Sequence, residues 1–363
     1  MRIVRRYRLI LSAAVMTALS AFAQPGGPPI VVASDKLEFA ISPLGGRFLK
    51  LQLRGGDPTN PLNATFGHFL ALDGFGAPSP QEKAAGMPFH GEASTQPVRV
   101  LSTRTAGPVH SVVFESTLPL AQEKLTRTVE LRDGESVVYV ASELASDLNV
   151  DRPVSWAEHA TIGPPFLAPG ETFVDIPATH CRVRPYKPGP IPGHLVYDRD
   201  FLWPMAPNDN LEQTDIRGVP TAEKTLDLAS CEIDPARTLG FVTALNLAKH
   251  LLFGYVFPRQ DYPWVMSWMN FTGDAHAARG MEFSTQPFDV SHRETVAMNP
   301  LFGTPTFKWL PAKSKIRSQF LIFYSSVPEG FTRVDDVTLR DGKLTVVDRA
   351  SGKEIVLAAA KSL

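Results

Sequence analysis

The sequence predicts an all-β, antiparallel sandwich, and three observations carry that prediction. Short apolar or alternating runs follow one another almost from end to end. Proline and glycine, 32 and 26 of them in 363 residues, interrupt nearly every stretch that a long helix would need. No hydrophobic period of 3.6 residues is sustained, which points to a sandwich rather than to alternating α/β units.

In chain order, Ile30 to Ala33, Leu37 to Ile41 and Phe48 to Leu53 read as strands separated by Ser34-Asp35 and Gly45-Gly46. The same texture returns at Val98 to Ser102, His110 to Glu115, Thr128 to Leu131, Val137 to Ala141 and Thr172 to Ile176. It continues at Leu239 to Leu245, Leu251 to Phe257, Val265 to Met269 and Ile316 to Tyr324. Only Pro80 to Ala85 and Glu212 to Ala229 leave room for a helical turn or two. Asp341-Gly342 and Ser351-Gly352 are hairpin turns around Leu344 to Val347 and Ile355 to Leu357, so residues 336–363 read as a C-terminal β-hairpin appendage to a main domain over 24–335.

Residues 1–23 read as an export signal: Arg2, Arg5, Arg6 and Arg8 precede an apolar stretch from Leu9 to Phe22 and an Ala21-Phe22-Ala23 cleavage site. Both the general and the twin-arginine routes fit. The expected location is periplasmic or extracellular, with no membrane attachment after cleavage. Losing four arginines takes 36 basic residues to 32 against 37 acids, a mature net charge of −5. With 44% hydrophobic and 20% charged residues, the composition gives neither disorder nor a nucleic-acid footprint. Cys181 and Cys231 are an even pair, so a disulfide and two buried thiols both remain open. No Cys/His spacing suggests a metal, and no motif calls for a cofactor. Oligomeric state is not legible.

Three polar stations stand out. The first is Met87-Pro88-Phe89-His90-Gly91-Glu92, where glycine lets the backbone approach a ligand. The second is Trp156-Ala157-Glu158-His159, running into Gly163-Pro164-Pro165-Phe166; burying Glu158 and His159 demands hydrogen bonds or shifted protonation, and both a polar pocket and a sheet-edge ion pair satisfy that. The third is Arg279-Gly280-Met281-Glu282-Phe283, where alternation turns Glu282 away from Met281 and Phe283. Between Phe166 and Leu228 a proline-rich segment carries Asp200 and Trp203, candidates for the rim of a ligand site.

In this order, His-Gly, then an acid before His with an aromatic turn, then a late strand Glu leading to a Pro, the sequence resembles the galactose mutarotase-like (aldose 1-epimerase) superfamily over roughly Ile30 to Ser326. The resemblance implies a β-supersandwich and a carbohydrate ligand. It gives His90 sugar binding, His159 the role of general acid and Glu282 that of general base. Mutarotation needs such a pair, one group to take the anomeric proton and the other to protonate the ring oxygen. The family's arginine motif upstream of His-Gly is absent; His68 and Asp73 in Gly67-His68-Phe69-Leu70-Ala71-Leu72-Asp73 are candidates to bind hydroxyls instead, and a turn at Asp73-Gly74 also explains Asp73. Glu158, where the enzymes carry Asn, joins the candidate binding set.

The leading expectation is therefore an exported aldose 1-epimerase-like protein, with Glu282 and His159 facing each other across a gap about one sugar ring wide. The alternatives are a non-catalytic carbohydrate-binding protein, and a lyase or hydrolase that would draw on Tyr255 or Asp200.

Overall fold

A computed structural model describes residues 27–187, 193–220, 224–273 and 277–363. The expected leader, and Pro188, Pro190 and Pro192 of the proline-rich segment, lie outside the described residues.

Strands β1 (Ile30–Ala33), β2 (Leu37–Ile41), β3 (Phe48–Leu53) and β4 (His68–Leu72) begin a large sheet, followed by helix α1 (Pro80–Ala84) and a 3-10 turn at Glu92–Thr95. A meander, β5 (Arg99–Ala106), β6 (Val109–Leu118), β7 (Glu123–Arg132) and β8 (Val137–Ser146), starts a second sheet. After β9 (Arg152–Val154), the chain returns to the first sheet with β10 (Trp156–Ile162), then supplies β11 (Thr172–Asp175) to the second. Strands β12 (Ala178–Val183), β13 (Asp200–Leu202), β14 (Met205–Pro207), β15 (Gln213–Asp215) and β16 (Leu226–Ile233) widen the first sheet. Next come β17 (Leu239–Asn246) and β18 (Leu251–Pro258) in the second, then β19 (Trp264–Asn270), β20 (Ala278–Gly280) and β21 (Glu282–Ser284) in the first. Helix α2 (His292–Ala297), β22 (Lys308–Leu310) and β23 (Lys315–Ser326) precede β24 (Asp336–Arg340), β25 (Lys343–Asp348) and β26 (Lys353–Ala358).

The first sheet has 13 strands and the second eight, in the order β11-β17-β18-β23-β8-β7-β6-β5, and all the pairings are antiparallel. One continuous apolar core fills the space between the sheets, from Phe39 and Phe48 through Trp156, Phe253 and Phe283 to Phe320. Cys181 and Cys231, opposite each other on β12 and β16, close a disulfide inside that core.

Two expectations are corrected. Glu212 to Ala229 forms no helix among its described residues: Gly218 and Pro220 break the stretch, and its two ends pair as β15 and β16. The C-terminal appendage is a three-stranded sheet, β24-β25-β26, larger than a hairpin. Its turn at Asp341-Gly342 has both residues in the left-handed region, as a two-residue hairpin turn requires.

This small sheet covers the second sheet's other face, where Val337, Leu344 and Val346 pack on Val137, Phe241, Leu252, Leu321 and Phe323. A chain ending after Val334 would leave those side chains facing water. Such a truncation is expected to bind a hydrophobic dye in its folded state and to aggregate on concentration, which dye fluorescence and light scattering would read.

Candidate functional site

Register on the first sheet sorts its residues into two faces. On the core side run Leu70, Glu158, Phe283, Val265, Cys231, Cys181 and Phe201, cross-strand partners from β4 to β13. One residue along each strand, the opposite face carries Phe69, His159, Glu282, Met266, Ser230, Arg182 and Asp200. The side-chain period of two thus separates Glu158 from His159, although they are sequence neighbours.

Glu158 and His68 therefore face inward, and both are wholly buried. Glu158 accepts hydrogen bonds from His68 Nε2 at 2.9 Å, Arg127 Nη2 at 2.5 Å, Trp156 Nε1 at 3.2 Å and Tyr262 Oη at 3.3 Å. Because His68 Nε2 donates to the carboxylate, its Nδ1 is left to accept from Tyr255 Oη at 3.2 Å, which fixes the tautomer. Burial alone would raise the Glu158 carboxyl, but Arg127 and His68 overcome it and hold the group at about 2. This is an ion network of the core. The expectation that Glu158 and His68 touch a ligand is not met by their placement, and Tyr255, also wholly buried there, is equally out of reach.

On the other face the structure brings His90, His159 and Glu282 together. His159 Nε2 lies 3.5 Å from Glu282 Oε1, and its Nδ1 is 3.0 Å from Thr161 Oγ1. Its ring stacks on Phe69 at 4.3 Å and Phe75 at 5.1 Å between centroids, while the His90 ring meets it edge-on at 5.0 Å. His90 sits at φ 64° with Nδ1 2.5 Å from the Phe75 carbonyl oxygen. Gly91, at φ 74°, allows this turn: a Cβ there would lie 1.7 Å from the Leu72 carbonyl oxygen. The Glu282 carboxylate lies over Gly280, where a Cβ would come within 2.9 Å of it and 2.8 Å of Trp268 Cβ.

The electrostatics of the pair follow from burial. Neither Glu282 oxygen has a hydrogen-bond partner among the described residues. Burial raises that carboxyl well above the usual carboxylate range, Asp289 pushes the same way, and only Arg184 opposes. Burial, then His90, lowers the His159 imidazole well below its usual value. His90 itself is brought down to about 4 by burial, against the Phe75 carbonyl. Burial thus disfavours charge on the carboxyl and on both imidazoles.

The expected ring-wide gap between Glu282 and His159 is not present. They are in near contact, and Glu282 is 0% and His159 4% exposed. Asp200 lies on the same face but four strand spacings from Glu282, about 19 Å. It is exposed and paired with Arg182 through Nε at 2.5 Å. Trp203 stands beside it, lining a separate cavity of about 650 Å³ with Arg199 and Met205. Neither joins the three stations.

Sequence reasoning missed several groups on this face. Arg47 places its guanidinium 5.8 Å from the Phe69 ring centre, so a cation is present although the family's arginine motif is not. Arg184 pairs with Asp289 at 3.2 Å, and Tyr186 donates to the Asp289 carbonyl oxygen at 2.7 Å. Among the described residues no group of three or more His, Cys, Asp or Glu is arranged to hold a metal ion.

Among solved structures, a galactose mutarotase-like protein from Clostridium acetobutylicum superposes with a TM-score of 0.58 at 14% identity, covering 82% of this chain and 95% of its own. The fold is galactose mutarotase-like. A galactose mutarotase related enzyme from Lactobacillus acidophilus gives a TM-score of 0.58 at 10% identity, covering 82% and 97%. A protein of Escherichia coli K12 provisionally named an aldose 1-epimerase gives 0.59 at 11%, covering 82% and 99%. No family model and no curated protein sequence matches the chain. At such low identity the mutarotase-like likeness is one of architecture, and the chemistry rests on the side chains.

Proposed function

We propose that this protein is an exported carbohydrate-binding isomerase of the aldose 1-epimerase type, with Glu282 and His159 as its acid-base pair and His90 as a sugar ligand. The observation that carries the reading is the 3.5 Å approach of His159 Nε2 to Glu282 Oε1 on the face opposite the core, with His90 against them. The anomeric hydroxyl and the ring oxygen are bonded to the same carbon, so an acid and a base in mutual contact can serve both from one side.

Burial, which disfavours charge on both groups, sets the direction. Glu282, neutral, gives its proton to the ring oxygen as the C1–O5 bond breaks, while His159 Nε2 takes the proton of the anomeric hydroxyl. This reverses the roles implied by the resemblance. The resulting imidazolium and carboxylate arise together and offset each other, and both protons return when the open aldehyde rotates and closes. His90 and Trp268, each partly exposed, are the walls that must shift to admit the sugar.

The test is the optical rotation of freshly dissolved α-galactose and α-glucose, which should decay faster with protein than in buffer. The rate should fall on the acid side as His159 gains a proton and on the other side as rising pH takes the proton from Glu282. A decay identical to buffer for both sugars would remove the reading for them. The complete burial of Glu282 favours a second reading, a silent sugar-binding protein, which would show sugar binding without any such acceleration.

A further inference from the structure

Next to the acid-base pair lies a cavity of about 400 Å³, lined in part by Gly76, Phe89, Arg184, Tyr186, Asp289 and Ser291. One chain of contacts and one electrostatic link tie it to the pair. Phe89 packs on His90 at 4.0 Å between ring centres, and His90 on His159. On the other side, Arg184 and Asp289 are the charges that act on Glu282. Arg184 hydrogen-bonds Leu228, which pairs with Trp268 on β19, so it projects from the same face as Glu282.

The polar atoms of this cavity are incompletely used. The Arg184 side chain is 2% exposed and spends Nη1 on Asp289 Oδ2, leaving Nε and Nη2 without a partner among the described residues. Those two N–H groups share one edge of the guanidinium, the edge suited to grip two oxygens side by side. Asp289 Oδ1 is likewise an unpartnered acceptor. Leaving such buried groups unpaired costs free energy, so their arrangement favours a ligand that supplies both acceptors and donors.

We propose that this cavity is a second sugar subsite, holding the neighbouring glycosyl unit of an oligosaccharide whose reducing-end ring lies on the Glu282–His159 pair. The proposal rests on the epimerase-type reading and narrows its substrate to saccharides longer than one unit. Vicinal hydroxyl oxygens accept from Arg184 Nε and Nη2, one hydroxyl donates to Asp289 Oδ1, and Phe89, 56% exposed, offers its ring to an apolar sugar face. Charge selects a neutral ligand: Asp289 already offsets the Arg184 cation, and a further anion would meet that carboxylate.

The test is isothermal titration of the full chain with glucose and galactose against cellobiose, maltose and lactose, with glucuronate as the charged control. At least one disaccharide should bind about tenfold more tightly than either monosaccharide. Arg184→Gln should erase that increment and leave monosaccharide affinity within about twofold. Because Arg184 is buried and its variant could fail to fold, exposed Phe89→Ala is measured beside it and should also reduce the increment. Monosaccharide binding with no gain for any disaccharide overturns the subsite and leaves the epimerase-type reading standing. Tighter binding of glucuronate than of glucose overturns the neutral assignment, and no binding of any sugar overturns both.

Discussion

Replacing Glu282 with Gln is expected to abolish acceleration of sugar interconversion while raising the stability of the fold above neutral pH. Gln keeps the shape and can still donate a hydrogen bond to a ring oxygen, but it has no proton to transfer, and a positioned acid or base contributes about 10²–10⁴ in rate. Polarimetry on fresh α-galactose or α-glucose reads that loss. The stability gain follows from the same geometry. The folded carboxyl is raised because burial and Asp289 disfavour its charge, so between its ordinary value of 4.5 and its raised one the folded state holds a proton that the unfolded chain has released. Stability contributed by that proton is present at low pH and declines as pH rises through this window. Gln has nothing to lose there, and the melting temperature of the variant should overtake that of the parent by a margin growing from pH 5 to pH 9. A variant that is both as active and no more stable at pH 9 would mean that Glu282 is neither the acid nor a strained buried group.

The same alternation that made the strands readable hid part of the site. Leu37 to Ile41 and Leu251 to Phe257 are legible because apolar, β-branched and aromatic residues between turn signals have few other ways to be buried. Glu282 was legible for a related reason: a carboxyl between Met281 and Phe283 on a strand must face the other way. Applied with equal strictness, that rule separates Glu158 from His159, since neighbours on a strand cannot share a face. The cost of burying Glu158 is met equally by a polar pocket and by a sheet-edge ion pair, whereas the core has a partner for it in Arg127, 31 residues earlier, which sequence spacing cannot show. Ser291-His292-Arg293-Glu294 is a capping box that starts α2, but a helix of six residues among prolines and strands is too short to show a period. Arg184 and Asp289, 105 residues apart, meet only because β12 and the segment after β21 border the same face.

Arg127 carries the second large expected effect. Arg127→Met should destabilise the protein by about 3–5 kcal/mol at pH 7, as seen in urea or guanidinium unfolding, because it leaves Glu158 buried without its main cation. Met restores much of the lost volume and places the sulfur between Phe48 and Phe320, whose rings now flank the guanidinium at 5.4 and 5.9 Å, so packing loss contributes little. The pH dependence identifies the cause. In the parent, the Glu158 carboxyl is lowered to about 2 in the folded state against 4.5 ordinarily, and the stability this supplies is complete above 4.5 and lost as pH falls towards 2. Without Arg127 that depression collapses, so the gap between parent and variant should narrow steadily on acidification through the same window. Adding Glu158→Gln removes the stranded charge, keeps its amide oxygen as acceptor for Trp156 and Tyr262 while its NH2 donates to His68 in the other tautomer, and should recover most of the deficit at pH 7. A deficit unchanged by pH and by the second substitution would place the role of Arg127 in packing alone, and the core network would then be an accessory of the fold rather than the partner that lets β10 bury Glu158 on one face while presenting His159 on the other.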